Sequence, residues 1–157
     1  MSILALDLGT KTGWCAGTAE HHVSGVSKFE AGRFTGGGMR YLRFRSWLKD
    51  VYEAYPFTVV YFEEVRRHVA TDAAHVYGGL LATLTAWCEE SKIAYEGVPV
   101  GTIKKFATGK GNAPKDAMVA AVRSWGYSPC DDNEADAIAL FRLKAVKELA
   151  CAKPICG

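Results

Sequence analysis

The fold of this chain is decided by its first apolar run and the turn after it, Ile3-Leu4-Ala5-Leu6-Asp7-Leu8-Gly9-Thr10-Lys11-Thr12-Gly13. The segment Ile3–Asp7 is typical of a buried β-strand that stops at an acid. The glycines that follow predict a turn too tight for bulky side chains. The carboxylate of Asp7 is therefore expected at the tip of a buried strand.

Further acidic side chains sit at the borders of apolar segments in the same way. Glu63 and Glu64 end the run Val59–Phe62, and Asp136 opens an apolar helix. Burying an unpaired carboxylate costs several kcal/mol or more unless a cation lies beside it. Carboxylates aimed from three separate core elements therefore predict a metal site. For each acid alone the alternative is an ordinary role as turn former, strand-end charge or partner of a helix dipole.

The composition is that of a folded chain, because 49% of the 157 residues are hydrophobic and 23% are charged. That length predicts one domain, residues 1–157. No apolar run approaches the ~20 residues of a membrane span, and the N-terminus lacks a leader-peptide pattern. The five cysteines include no C-x-x-C pair. This favours a reduced, cytoplasmic protein over a disulfide scaffold or a zinc site.

Periodicity and turn residues predict the order β-β-β-α-β-α-β-α-α. Strands are expected at Ile3–Asp7, Thr12–Gly17, Val23–Phe29, Phe57–Phe62 and Ala94–Val98. Helices are expected at Met39–Tyr55, at Ala73–Ser91 with Asp72 as cap, at Pro114–Trp125 and at Asn133–Ala150, with a short one at Thr102–Phe106. This order predicts an α/β protein, a mixed five-stranded sheet with helices on both faces, as in the ribonuclease H-like fold.

The acids suit phosphodiester cleavage by two metal ions, which needs oxygen ligands that bridge cations ~3.5–4 Å apart. Mg²⁺ and Mn²⁺ prefer such ligands. Glu63 and Glu64 point to opposite faces of their strand, so only one of them can join Asp7. Asp132 and Asn133 lie one turn before Asp136, where each is either a further ligand or the helix cap.

Basic residues concentrate in two stretches. Residues 33–49 carry five and no acid, and residues 101–123 carry five against one acid. Such clusters on a balanced chain indicate a phosphate-rich partner, and the alternative is a solvated helix face. In the second stretch the lysines Lys104, Lys105, Lys110 and Lys115 surround an aromatic residue and a glycine turn, which suits contact with a nucleic-acid backbone.

Three motifs together resemble the RuvC-type Holliday junction resolvases, in particular their phage-encoded branch. They are Leu4–Trp14, Phe62–Val65 and Asp131–Leu140. The resemblance implies a ribonuclease H-like fold, a homodimer, and Mg²⁺-dependent paired nicking of four-way DNA junctions in the host cytoplasm. It maps the family's acids to Asp7, Glu63 and Asp136, and it places Arg66 and Arg67 near the junction.

The chain departs from the family pattern at two places. Leu8 stands where the family often has proline, and Gly13 comes one residue early. The position three before the last aspartate, usually acidic or histidine, is Asn133. Asn133 can coordinate a cation through its carbonyl oxygen, or Asp132 can take its place.

Other functions fit parts of the same pattern. A less selective nuclease for branched DNA or RNA–DNA hybrids would share the fold, and Asn133 also allows an inactive nucleic-acid-binding module. The run Asp7–Thr10 also resembles the phosphate-binding hairpin of sugar kinases and actin-like ATPases. Those proteins need two such lobes around the nucleotide, and this length supplies one.

Overall fold

The computed structural model describes residues 1–34 and 36–151, which form five strands and five helices. The strands are β1 (Ile3–Asp7), β2 (Lys11–Gly17), β3 (His22–Lys28), β4 (Val59–Glu64) and β5 (Ala94–Pro99). The helices are α1 (Met39–Ala54), α2 (Thr71–Ser91), α3 (Val100–Thr108), α4 (Lys115–Ser124) and α5 (Asp132–Cys151). In this part of the chain no helix has both the length and the apolar character needed to cross a membrane.

The five strands form one sheet in the order β3-β2-β1-β4-β5. The first three strands are an antiparallel meander, and β4 and β5 run parallel to β1. Parallel neighbours require crossover connections, which α1 and α2 provide. The predicted mixed five-stranded sheet is confirmed. Because β1 is central and covered on both faces, its residues from Ile3 to Leu6 are at most 1% exposed.

Helices cover both faces of the sheet, each with its own core. Leu4 and Leu6 pack with α1 and α2 on one face. Ile3 and Ala5 pack with α3, α4 and α5 on the other. Alternate side chains of β1 therefore serve opposite cores, and the odd-numbered ones face α5.

Several predicted boundaries shift by one or two residues. Strand β4 begins at Val59 rather than Phe57, since Phe57 is buried against the rings of α1 and α2 without belonging to the sheet ladder. The prediction that Asp72 caps α2 is wrong. Ala70 occupies the cap position without a side-chain hydrogen bond, and Asp72 lies inside the first turn. Pro114 precedes α4 as its cap residue instead of opening the helix.

Candidate metal centre

Asp7 and Glu63 end neighbouring parallel strands and point to the same side of the sheet. In the pairing of β1 with β4, Ala5 lies opposite Tyr61, and both pack against the α5 side. Two residues further along each strand, the same face carries Asp7 and Glu63. Glu64, next along β4, points to the opposite side. The preference for Glu63 over Glu64 as the neighbour of Asp7 agrees with this geometry.

Helix α5 brings the third acid to this edge. Gly13 is the cross-strand partner of Asp7, and a Cβ atom on Gly13 would lie 1.9 Å from the carbonyl oxygen of Asn133. The start of α5 thus rests directly on the backbone of β2, which places Asp136 over the strand ends. Carboxylate oxygens of Asp7, Glu63 and Asp136 all lie within 4.8 Å of one another.

The three carboxyl groups are electrostatically costly in the absence of a cation. Burial, and then the charges of Glu63 and Asp136, raise the pKa of Asp7 well above its usual value. Burial also raises the pKa of Glu63, although a hydrogen bond with Asp7 and the charge of Lys104 oppose this. Burial, Glu63 and Asp132 raise the pKa of Asp136 from 3.8 to about 7. The site therefore favours either protons or a positive partner.

Asp131 caps the helix that carries Asp136. One of its carboxylate oxygens accepts a hydrogen bond from the backbone N–H of Glu134 at 2.9 Å, and the other accepts one from the Asn133 amide at 3.3 Å. Asp132 instead pairs with Lys115 at 3.1 Å. The alternative that Asp132 or Asn133 is the cap is wrong, because both lie inside the first helical turn. A ligand role for either stays a prediction.

Comparison with known proteins finds solved structures of the same fold but no match to a family model or a curated protein. No family model matches the sequence, and no curated protein matches it. Two structures of Thermus thermophilus RuvC, one in complex with a Holliday junction substrate, superpose at a TM-score of 0.78 and 20% identity, over 99% of this chain and 99% or 100% of theirs. The yeast mitochondrial Holliday junction resolvase Ydc2 reaches 0.61 at 14% identity, over 88% of this chain and 75% of its own.

The chain has the RuvC fold. The likeness spans nearly all of both chains, so the ribonuclease H-like architecture predicted from the motifs is confirmed. At these identities the comparison concerns the fold. Junction cleavage, the homodimer and a phage-encoded origin stay predictions.

Within the RuvC fold, Tyr77 holds the end of β4, a role that the sequence did not reveal. Its hydroxyl donates a hydrogen bond to the carbonyl oxygen of Glu63 at 2.8 Å and accepts one from the N–H of Val65 at 3.1 Å. Tyr77 is buried on α2, so it ties the strand end to the helix layer on the opposite face. The backbone that carries Glu63 is thereby fixed on a rigid element.

Two of the predicted DNA-contacting lysines lie close to the acids. Lys104 on α3 and Lys115 at the start of α4 both lower the pKa of Asp136 through their charge. The hydrogen bond to Asp132 is the main cause that raises the pKa of Lys115. The other predicted contacts are exposed: Arg66, Arg67, Lys105 and Lys110.

The first basic stretch, residues 33–49, is largely engaged within the protein. Arg45 pairs with Glu90, and Lys49 lies 3.9 Å from Glu53 one turn along α1. Arg40 donates a hydrogen bond to the backbone carbonyl of Phe29. These contacts favour the solvated-helix alternative for Arg45 and Lys49 and leave the second stretch as the better candidate for binding phosphate.

Proposed function

We propose that this chain is a divalent-metal-dependent endonuclease that resolves four-way DNA junctions by paired nicks. The observation that carries the proposal is the convergence of Asp7, Glu63 and Asp136 within 4.8 Å at one edge of a RuvC fold. One solved RuvC with this fold is in complex with a Holliday junction substrate. Branched DNA is therefore the first substrate to test.

The acidic cluster fits hard divalent cations. Its three members offer only carboxylate oxygens, which Mg²⁺ and Mn²⁺ prefer. Because the pKa of Asp136 is raised to about 7, this carboxyl group is partly protonated in the metal-free site near neutral pH, and a cation would displace the proton. In this proposal Asp7, Glu63 and Asp136 hold two Mg²⁺ or Mn²⁺ ions, with Asp132 or Asn133 as a further ligand. Bound there, the ions would supply an activated water and charge stabilisation for phosphodiester hydrolysis.

The DNA backbone and the acidic cluster are both negatively charged and repel each other. The basic side chains around the cluster would offset this repulsion and attract the DNA. Lys104 and Lys115 already offset part of the negative charge around Asp136, so they are placed to receive a phosphate group beside it. In this proposal Arg66 and Arg67, on the loop after β4, together with Lys105 and Lys110 contact the DNA backbone further out. Backbone contacts of this kind position the substrate and carry no sequence information.

A homodimer follows from the proposed reaction. A four-way junction has near two-fold symmetry, and its resolution requires nicks at two related positions. One acidic cluster per chain then calls for two chains related by a two-fold axis. Light scattering of the purified protein at working concentration tests this part separately, and a monomer would contradict it.

The experiment compares matched substrates and matched variants. Purified protein with Mg²⁺ is offered a labelled four-way junction, a fork, a plain duplex and an RNA–DNA hybrid. Asp7→Asn and Glu63→Gln should abolish nicking while junction binding persists, because each removes a ligand and also some repulsion of phosphate. Glu64→Gln is the control, since it makes the same chemical change on the opposite face of the same strand. Near wild-type nicking by Asp7→Asn, or equal losses in Glu63→Gln and Glu64→Gln, would refute the assignment.

The same assay separates the rival functions. Equal cleavage of the junction and the hybrid would indicate a less selective nuclease. Binding of DNA without nicking in Mg²⁺ or Mn²⁺ would indicate an inactive nucleic-acid-binding module. A cavity of about 660 Å³ borders the turn that contains Gly9 and Thr10. Binding of labelled ATP, without nicking of any DNA, would favour the ATPase-like alternative.

A further inference from the structure

Glu134 is a buried carboxylate that belongs to no part of the acidic cluster. Only 7% of it is exposed. It lies in the first turn of α5, two residues before Asp136. Burial of a charged side chain at this position is costly unless its interactions compensate for the lost hydration.

The carboxylate of Glu134 joins three segments of the chain. One oxygen accepts a hydrogen bond from the Ser24 hydroxyl on β3 at 2.7 Å. The other accepts one from the backbone N–H of Cys130, in the loop that leads into α5, at 2.8 Å. The backbone N–H of Glu134 is itself bound by the cap residue Asp131. Both oxygens of the buried group are thus satisfied, and the start of α5 is tied to the edge strand.

The same helical turn carries the side chains proposed to hold the metal ions. Asp136 follows Glu134 by two residues, so it projects from a different side of the helix. A rotation of α5 about its axis would move Asp136 away from Asp7 and Glu63. The bonds made by Glu134 oppose such a rotation. Metal sites require their ligands to be held within about 0.5 Å of the productive geometry.

We propose that Glu134 is a positioning residue that sets the rotation of α5 and thereby the affinity of the acidic cluster for its cations. This inference rests on the proposed function, since it presupposes that Asp136 is a metal ligand. Loss of the Glu134 bonds should lower metal affinity by about tenfold or more, the range seen for residues that orient ligands without touching the metal. Junction binding in the absence of metal should stay within about twofold of the wild type, because the buried side chain of Glu134 offers almost no surface to a ligand.

The experiment uses a graded set of variants with matched controls. Glu134→Ala removes both bonds, Ser24→Ala removes one, and Glu134→Gln keeps the shape and can satisfy both partners as acceptor and donor. Ser27→Ala makes the control change on the opposite face of β3, and Glu148→Gln makes it near the other end of α5. The readouts are Mn²⁺ titration calorimetry, the Mg²⁺ concentration for half-maximal nicking, metal-free junction affinity and thermal unfolding.

The expected order of lost Mn²⁺ affinity is Glu134→Ala first, then Ser24→Ala, with Glu134→Gln and both controls near the wild type. Excess Mg²⁺ should restore much of the nicking by Glu134→Ala. If thermal stability falls while Mn²⁺ affinity and the Mg²⁺ requirement stay unchanged, Glu134 is only a stabilising residue and the inference is overturned. If Glu134→Ala does not fold, Ser24→Ala carries the same test. A wild-type protein that binds no Mn²⁺ would instead overturn the proposed function itself.

Discussion

Gly13→Ala is the sharpest test of how α5 meets the sheet. An added Cβ would lie 1.9 Å from the carbonyl oxygen of Asn133, 2.3 Å from its carbonyl carbon and 2.9 Å from the backbone nitrogen of Glu134. Real Cβ atoms essentially never approach other atoms closer than 3.0 Å. All three neighbours are backbone atoms, so no side chain can rotate away. The start of α5 must therefore move off β2 by roughly 1 Å or more.

The size of this shift decides the expected effect. Overpacking of a buried contact costs about 1–3 kcal/mol of stability, which a domain of this size tolerates if its stability is ordinary, about 5–15 kcal/mol. The catalytic effect should be larger, because Asp136 moves with the helix while Asp7 and Glu63 stay on the sheet. A misplacement of about 1 Å at a catalytic site can cost about 10²-fold in rate. We expect a folded variant with nicking reduced by about two orders of magnitude.

The measurement pairs single-turnover nicking of a labelled junction with thermal unfolding. Gly9→Ala is the matched control from the same motif, since its Cβ would meet only the Lys11 backbone, its carbonyl oxygen at 3.6 Å and its nitrogen at 4.0 Å, which are ordinary contacts. It should fold and cut within a few-fold of the wild type. If Gly13→Ala cuts as fast as Gly9→Ala with unchanged stability, α5 does not rest on Gly13 and the placement of Asp136 is wrong.

Three further predictions concern protons, ligands and salt. The pKa of Asp136 is raised from 3.8 to about 7, so between these pH values the folded metal-free protein keeps a proton that the unfolded chain has released. Its contribution to stability is complete below the lower value and disappears as pH rises through the higher one. Scanning calorimetry without metal should give a lower Tm at about pH 8 than at about pH 5; a Tm that rises over this range would contradict the assigned shift. Asp132→Ala should lower Mn²⁺ affinity by more than the roughly tenfold that loss of an outer-shell partner costs, and Asn133→Ala by less; the reverse order in titration calorimetry would make Asn133 the further ligand. Lys105→Ala should reduce the slope of log junction affinity against log salt by about one unit, as measured by fluorescence anisotropy, whereas Lys49→Ala should leave the slope unchanged; equal slopes in the two variants would remove Lys105 from the DNA contacts.

The order of the elements was predictable because their ends are marked in the sequence. Strand β1 was predicted to the residue, since its apolar run stops at Asp7 and a glycine-containing turn follows. Two prolines likewise mark helix ends in the sequence: Pro56 follows α1, and Pro114 precedes α4. The start of β4 shifted because packing outside the sheet produces the same apolar signal as pairing within it. Phe57 is the example, because it fills the core beside α2 and yet precedes β4.

The choice between Glu63 and Glu64 could not be derived from β4 alone. Val59 and Val60 are both buried, on opposite faces of the sheet. A strand that is apolar on both faces has no polar side from which to infer direction. Only its register with β1 decides which glutamate accompanies Asp7, and register is a tertiary property. The resemblance to a known family supplied that information instead.

Among the other features of the site, the helix cap has a recognisable pattern in the sequence, whereas the roles of Gly13 and Tyr77 have none. Asp131 and Glu134 have the spacing of a capping box, which would have identified the helix cap. Gly13 looks like a turn residue in the sequence, but it lies within β2, and the reason for glycine is the distant backbone of Asn133. No local pattern could reveal a contact between residues 120 positions apart. Tyr77 resembles an ordinary core aromatic, and only its two hydrogen bonds distinguish it.

The choice between Asp132 and Asn133 as a further metal ligand is left open by helical spacing, and the geometry of the structure favours one of them. Asp132 and Asn133 stand four and three residues before Asp136, so spacing allows both to reach the cluster. Asn133 is neutral and its amide is turned toward the helix cap. Asp132 is charged, and its field already raises the pKa of Asp7 and Asp136. Its partner Lys115 is 83% exposed and Asp132 itself 29% exposed, and a pair with one member in solvent is worth about 0–1 kcal/mol. A divalent cation would stabilise the Asp132 carboxylate by more than the ion pair with Lys115 does. Exchange of the lysine for a metal ion therefore favours Asp132 as the further ligand, and it would free Lys115 to bind phosphate.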